Sequence, residues 1–116
     1  MTALGVLTIG QSPRDDIVPV LRHFLPTGTS IVERGCLDDL TASEVDRLVP
    51  IDDRDAIETR LRSRDSVIVS KAALEPMLVR CLIDLPKPIL FLCSSVFDAM
   101  RNQSGVIQPN EIILPV

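Results

Sequence analysis

Residues 4–16 read LGVLTIGQSPRDD, and the way this stretch divides decides the fold. Leu4 to Ile9 is a short apolar run closed by Gly10, the pattern of a strand buried on both faces. The segment after Gly10 reads as a helix start in one of two registers. In the first, Ser12 caps the helix, Pro13 takes its first position and Asp15 stands three residues after the cap. That register leaves Pro19 in the helix interior, where it removes a hydrogen bond. In the second, preferred here, Asp16 is the cap and Pro19 falls in the first turn. Either helix runs to about Phe24. A strand passing straight into a helix is the opening unit of an α/β protein, and its junction is a common place to hold an anion.

Further along the chain, Thr29 to Arg34 reads as a second strand broken by Gly35. Thr41-Ala42-Ser43-Glu44 is a capping box that starts a helix over Ala42–Leu48, stopped by Pro50. Over Ala56–Ser70, Ile57, Thr59 and Leu61 alternate with Glu58, Arg60 and Arg62. A turn at Ser63-Arg64-Asp65 then leads into Val67-Ile68-Val69. This spacing favours a β-hairpin, although Ile57 and Leu61 also fit a helix over Arg54–Arg62. Ser70 caps a helix from Lys71 to about Leu85, whose residues Leu74, Met77, Leu78, Cys81 and Leu82 recur at three and four. Ile89 to Leu92 is a second buried strand, ending at Cys93-Ser94-Ser95. A short helix over Val96–Arg101 and an apolar stretch over Ile112–Leu114 complete the reading.

The order strand, helix, strand, helix, hairpin, helix, strand predicts a three-layer α/β sandwich with a mainly parallel sheet. The strands' C-terminal ends then share one rim, where open parallel sheets bind ligands. The segments after Ile9 and after Leu92 both belong there.

Composition narrows the function. At 116 residues the chain is expected to form one domain, residues 1–116, large enough to fold around a core without disulfides or metal. A net charge of −4 argues against a nucleic-acid partner. No apolar run spans a bilayer, and Met1-Thr2-Ala3 carries no basic leader, so a cytoplasmic protein is expected. Three widely spaced cysteines, Cys36, Cys81 and Cys93, suggest no disulfide framework. With a single histidine, His23, and no Cys-x-x-Cys pair, no metal is expected.

Two clusters carry the candidate chemistry. Cys93 stands where a buried strand meets a hydroxyl-bearing turn. Backbone N–H groups of Ser94, Ser95 and Val96 there would favour an anion, including a thiolate. A space-filling buried thiol is the plainer alternative. Gln11, Ser12 and Arg14 form the other cluster. Arg14 offers a planar fork suited to a carboxylate or phosphate, and Ser12 offers a hydroxyl. Taken alone, that cluster reads as a capped helix with an exposed arginine. Lys71 reaches the rim only if Val67–Val69 joins the parallel sheet, and reads otherwise as a surface charge.

LGVLTIGQSPRDD, VIVSK (residues 67–71) and ILFLCSS (residues 89–95) together resemble the AroM family of bacterial proteins. The likeness runs from Leu4 onward and supports the hairpin over residues 56–70. That family is in turn similar to the aspartate/glutamate racemase superfamily, which implies a flavodoxin-like half paired with a second half. Each half of such an enzyme presents one cysteine at a strand end, and the two thiols exchange an α-proton without a cofactor. By this resemblance Cys93 is the proton-transfer residue, Ser95 stands at the threonine of the Cys-Asn-Thr-like turn, and Ser94 replaces the asparagine. The second half of that plan is not in the sequence, so a missing C-terminal half or a homodimer is expected to complete it. Three functions stand as expectations. The first is a module binding a small anion through Gln11, Ser12, Arg14, Ser94 and Ser95. The second is a racemase-like isomerase using Cys93. The third is a domain acting through association.

Overall fold

A computed structural model of the chain describes residues 3–93, 97–100 and 103–108. In chain order the elements are β1 (Ala3–Thr8), α1 (Val18–Phe24), β2 (Ser30–Gly35), α2 (Ala42–Asp46), β3 (Ala56–Arg60), β4 (Ser66–Ser70), α3 (Lys71–Asp84), β5 (Ile89–Phe91) and β6 (Val106–Ile107), with a 3₁₀ turn at Asp98–Met100 before β6. The turn Ser94-Ser95, the ends of the helix expected over Val96–Arg101, and the stretch Ile112–Leu114 lie outside the described residues.

β1, β2, β5 and β6 form one parallel sheet in the order β2-β1-β5-β6. Counting parallel strands only, this is 2-1-3-4, the opening of the flavodoxin-like order. Right-handed crossovers put α1 on one face and α3 on the other, because the chain leaves β1 for β2 in one direction and leaves β2 for β5 in the opposite one. The three-layer α/β expectation therefore holds. β1 lies centrally, which explains its unbroken apolar reading: Leu4, Val6, Leu7, Thr8 and Ile9 are all buried. Leu7, Leu37, Leu74, Leu78, Ile89, Phe91, Phe97 and Met100 form the core beside it. Phe91 and Phe97 meet edge to face at 5.8 Å.

β3 and β4 pair antiparallel as a separate two-stranded sheet, with Ile57 opposite Val69 and Thr59 opposite Val67. The hairpin that alternation favours is therefore the structure found. It docks on the rim of the main sheet through backbone bonds, from Gln11 N–H to the Arg60 carbonyl (3.1 Å) and from Ser70 N–H to the Leu48 carbonyl (2.8 Å). Gly10 permits this approach: a Cβ there would stand 2.1 Å from the Arg60 carbonyl oxygen.

The helix boundaries differ from expectation for identifiable reasons. α1 starts at Val18 with Pro19 in its first turn, close to the second register, but Asp16 does not cap it. The cap position is Ile17, with no side-chain bond, because both Asp16 oxygens are held by arginines. Ser12 is equally unavailable, since its hydroxyl bonds Asp38. The Thr41–Glu44 capping box is present as expected. α2 nevertheless ends at Asp46, and the Leu48 carbonyl turns to accept from β4 instead.

Candidate functional site

The parallel order reverses between β1 and β5, so their C-terminal ends form the crevice where open α/β sheets place ligands. Leu7 pairs with Phe91 in register, and Leu92 N–H donates to the Leu7 carbonyl at 2.8 Å. Ile9 and Cys93 follow the ends of these two strands. A cavity of about 410 Å³ opens here, lined by Thr8, Ile9 and Arg14 from the first junction and by Leu92 and Cys93 from the second. Thr8, Ile9 and Arg14 on the β1 side and Leu92 and Cys93 on the β5 side therefore line one cleft. Its third wall is the hairpin, through Ile57, Glu58, Thr59, Arg60 and Ser66.

Arg14 and Arg60 both line this cleft, and Arg14 is the more enclosed of the two. Its Nε and one terminal nitrogen donate to the two oxygens of Asp16, both at 2.9 Å, and its other terminal nitrogen reaches Thr8 Oγ1 at 3.3 Å. The side chain is only 17% exposed, so the fork is fixed rather than free in solvent. Arg60 approaches the same Asp16 oxygen at 3.2 Å. Hydrogen bonding from Arg14 lowers the Asp16 carboxyl to about 2, and the positive charges of Arg14 and Arg60 act in the same direction. Asp16 thereby keeps two guanidiniums together at the lip of the cleft and remains charged through nearly all the acid range.

Gln11 and Ser12 occupy different places. Gln11 bridges two loops, its Nε2 donating to the Leu37 carbonyl at 3.0 Å and its Oε1 accepting from Arg62 N–H at 2.9 Å. Ser12 donates to Asp38 through its backbone N–H and its hydroxyl, both at 2.7 Å. The Arg14 N–H donates to Glu33 Oε1 at 2.8 Å. The Ser12 and Arg14 amides and the Ser12 hydroxyl are thus met by two carboxylates of the chain itself. These bonds hold the loop that aims Arg14. Ser94 and Ser95, the other proposed anion holders, lie outside the described residues.

The three cysteines separate into a pair and a single. Cys36 and Cys81 are buried and hydrogen-bonded to each other. That bond, with burial behind it, pushes the Cys36 thiol far above its usual range, while Cys36 and the charge of Arg34 lower that of Cys81. Cys93 is half-buried on the cleft wall. Lys71 sits at the start of α3 with its ammonium 5.0 Å from the Phe97 ring centre, a cation–π contact. β4 does not join the parallel sheet, and Lys71 does not line the cleft.

With cleft and sheet order established, the chain can be placed among known proteins. The AroM protein family model matches residues 4–116. This chain belongs to the AroM family. No curated protein and no solved structure matches it.

Sequence reasoning missed the hairpin's share of the cleft, because alternation marks the two strands and not where they dock. A signal was present: Arg60, Arg62 and Arg64 recur at every second residue, too many cations on one edge for mere solubility in a chain of net charge −4. Asp38 was missed as well. It sits in a turn of ordinary polar composition, and only tertiary structure shows it accepting from Ser12, Gly35 and Arg62.

Proposed function

We propose that this AroM-family chain binds a small carboxylate in the cleft at the ends of β1 and β5. The observation that carries the reading is the fixed Arg14 guanidinium at a topological switch point, one edge held by Asp16 and the Nη1 end at Thr8, beside an apolar floor of Ile9, Ile57 and Leu92. A planar guanidinium meets a carboxylate through two parallel hydrogen bonds, which a point charge does not reproduce. Thr8, Thr59 and Ser66 supply hydroxyls for the remaining acceptors. Glu58 adds one carboxylate to the wall, which favours ligands that carry an ammonium as well as a carboxylate over plain dianions. Titration of the ¹⁵N-labelled chain with acetate, glutamate and succinate at constant ionic strength tests the reading. Glutamate is expected to bind most tightly, with shifts at the amides of Thr8, Ile9, Thr59 and Cys93. Arg14→Lys keeps the charge, loses the fork, and should weaken binding by roughly tenfold. Equal affinity in that variant, or shifts confined to other loops, would sink the proposal.

Cys93 on the cleft wall supports a second reading, proton transfer at the carbon beside the bound carboxylate. A Cys93 thiolate would take the α-proton, leaving an enolate-like carbanion held by Arg14, and the resulting thiol would return it. One thiol serves one face of the substrate, so exchange with solvent rather than inversion is the activity expected of this chain alone. A partner copy or further half bringing a second thiol would convert exchange into racemisation. Incorporation of deuterium from D₂O at the α-carbon, lost in Cys93→Ala while binding survives, is the diagnostic result.

A further inference from the structure

A second cavity lies on the other side of Arg14 and Arg60, under the hairpin turn. It measures about 230 Å³ and is lined by Arg14, Arg60, Arg62 and Arg64, by Asp15 and Asp16, and by Pro13 and Leu61. Four guanidiniums face two carboxylates in a chain whose net charge is −4. Their existing partners do not use up this excess. Asp16 alone serves both Arg14 and Arg60. Arg62 donates to the Ser12 carbonyl at 2.8 Å and reaches Asp38 at 3.4 Å. No carboxylate among the described residues pairs with Arg64.

The backbone at Arg64 gives an independent indication. Its φ is +78°, a left-handed conformation that side chains other than glycine rarely adopt. Arg64 N–H donates to the Leu61 carbonyl at 2.9 Å and Leu61 N–H to the Asp65 carbonyl at 2.8 Å. Together these define a type I turn followed by a left-handed residue, the place in a hairpin where glycine is the usual choice. An arginine there costs stability and adds a cation to the cavity.

We infer that this second cavity holds a phosphoryl group. A tetrahedral dianion presents acceptors on several sides and can meet forks arriving from β3, from the hairpin turn and from the β1–α1 loop at once. A planar carboxylate satisfies two such forks at most. Free phosphate and the head of a phosphate monoester present the same oxygens to the cavity. The site is separate from the carboxylate cleft, sharing with it only Arg14 and Arg60.

The test uses the full ¹⁵N-labelled chain, titrated with inorganic phosphate, glycerol 2-phosphate and sulfate at constant ionic strength, in the parent and in Arg64→Gly. Phosphate should shift the amides of Arg14, Ser63, Arg64 and Asp65. Arg64→Gly should raise the melting temperature, weaken phosphate about threefold to tenfold, and leave the glutamate titration at Thr8, Thr59 and Cys93 unchanged. Arg64→Lys, which retains charge without the fork, should fall between parent and Arg64→Gly. Tighter binding of glycerol 2-phosphate than of phosphate identifies a phosphorylated metabolite as the ligand, and the reverse identifies free phosphate. The inference is overturned by equal phosphate affinity in Arg64→Gly and parent. It is equally overturned if phosphate shifts only the Thr8 and Cys93 amides, or if sulfate and phosphate bind no more tightly than chloride. Failure of the glutamate titration alone would count against the carboxylate cleft and leave this site standing.

Discussion

Replacing Asp38 by alanine should be among the most damaging single changes to the loops around the cleft. Its carboxylate accepts from Ser12 N–H at 2.7 Å, from Ser12 Oγ at 2.7 Å and from Gly35 N–H at 2.8 Å, and it is 12% exposed. Alanine removes three charge-assisted bonds and leaves two backbone N–H groups without an acceptor. Gly35 is buried, so its N–H bears most of a desolvation penalty of about 1–3 kcal/mol. Ser12 is half-buried and water can reach it, which places its share near the low end. The contact with Arg62, at 3.4 Å and with Arg62 half exposed, adds about 0–1 kcal/mol. The sum is about 2–4 kcal/mol, against a total stability of about 5–15 kcal/mol for a domain. Two controls isolate the cause. Ser12→Ala deletes one hydroxyl bond and should cost about 1 kcal/mol. Asp38→Asn keeps one acceptor oxygen, but an amide turned toward Ser12 Oγ also faces the buried Gly35 N–H as a second donor, so it should cost about as much as Asp38→Ala. Urea unfolding followed by circular dichroism gives the three values, and amide exchange at Ser12 and Gly35 shows whether the loss is local. The reasoning is refuted if Asp38→Ala costs no more than Ser12→Ala, or if both N–H groups keep their protection.

Three further outcomes are expected. Gly10→Ala puts a Cβ 2.1 Å from the Arg60 carbonyl and 2.6 Å from Thr59 Oγ1, so the hairpin must move off the rim, at about 2–4 kcal/mol by urea unfolding and with lost amide protection across Ala56–Ser70. Phe97→Ala removes the buried edge-to-face partner of Phe91 and should cost about 3–5 kcal/mol in the same assay. For pH, Asp16 is lowered to about 2 and Asp55 is lowered by hydrogen bonds from Ser70, Ile51 and Ala72. Depressed carboxyls stabilise the fold above their unfolded values and lose that contribution as pH falls through their folded ones. Stability should therefore be flat above about pH 5 and decline from about pH 4 toward 2, with Asp16→Asn and Asp55→Asn each making the decline shallower.

The legible parts of the molecule are the physically local ones. Strands β1 and β5 are buried on both faces, so their sequences are continuously apolar and their ends could be placed within a residue or two. β3 alternates because one face is covered, and that alternation marks the hairpin. The capping box at Thr41 is a contact across three residues and was equally legible. β6 was missed because two residues, Val106 and Ile107, carry no periodicity. The start of α1 was misplaced by one residue for a non-local reason: Asp16 looks like a cap until Arg14 and Arg60 are seen to hold it. The candidate site divides the same way. Cys93 and Arg14 were legible because strand ends in a parallel sheet converge. Asp38, 26 residues from Ser12 in sequence, and the hairpin wall were not, because nothing local records which loops meet.

The two cavities are linked by the group that divides them. Asp16 is already an anion seated between Arg14 and Arg60, bonded to the first by both oxygens. A ligand anion entering either cavity must share those forks with it, so part of the Coulomb attraction it gains is offset by repulsion from Asp16. A single carboxylate or phosphate is therefore expected to bind weakly, and tight binding requires contacts that Asp16 does not already satisfy: Thr8, Thr59 and Ser66 on one side, Arg62 and Arg64 on the other. This arrangement ties affinity to ligand shape rather than to charge alone. It also sets the sign of the coupling. An anion that draws Arg60 toward the hairpin turn leaves Arg14 to balance both Asp16 and Glu58 at the sheet cleft, and repulsion there rises. Occupancy of the phosphoryl site should accordingly lower carboxylate affinity, and by linkage the reverse must hold by the same factor.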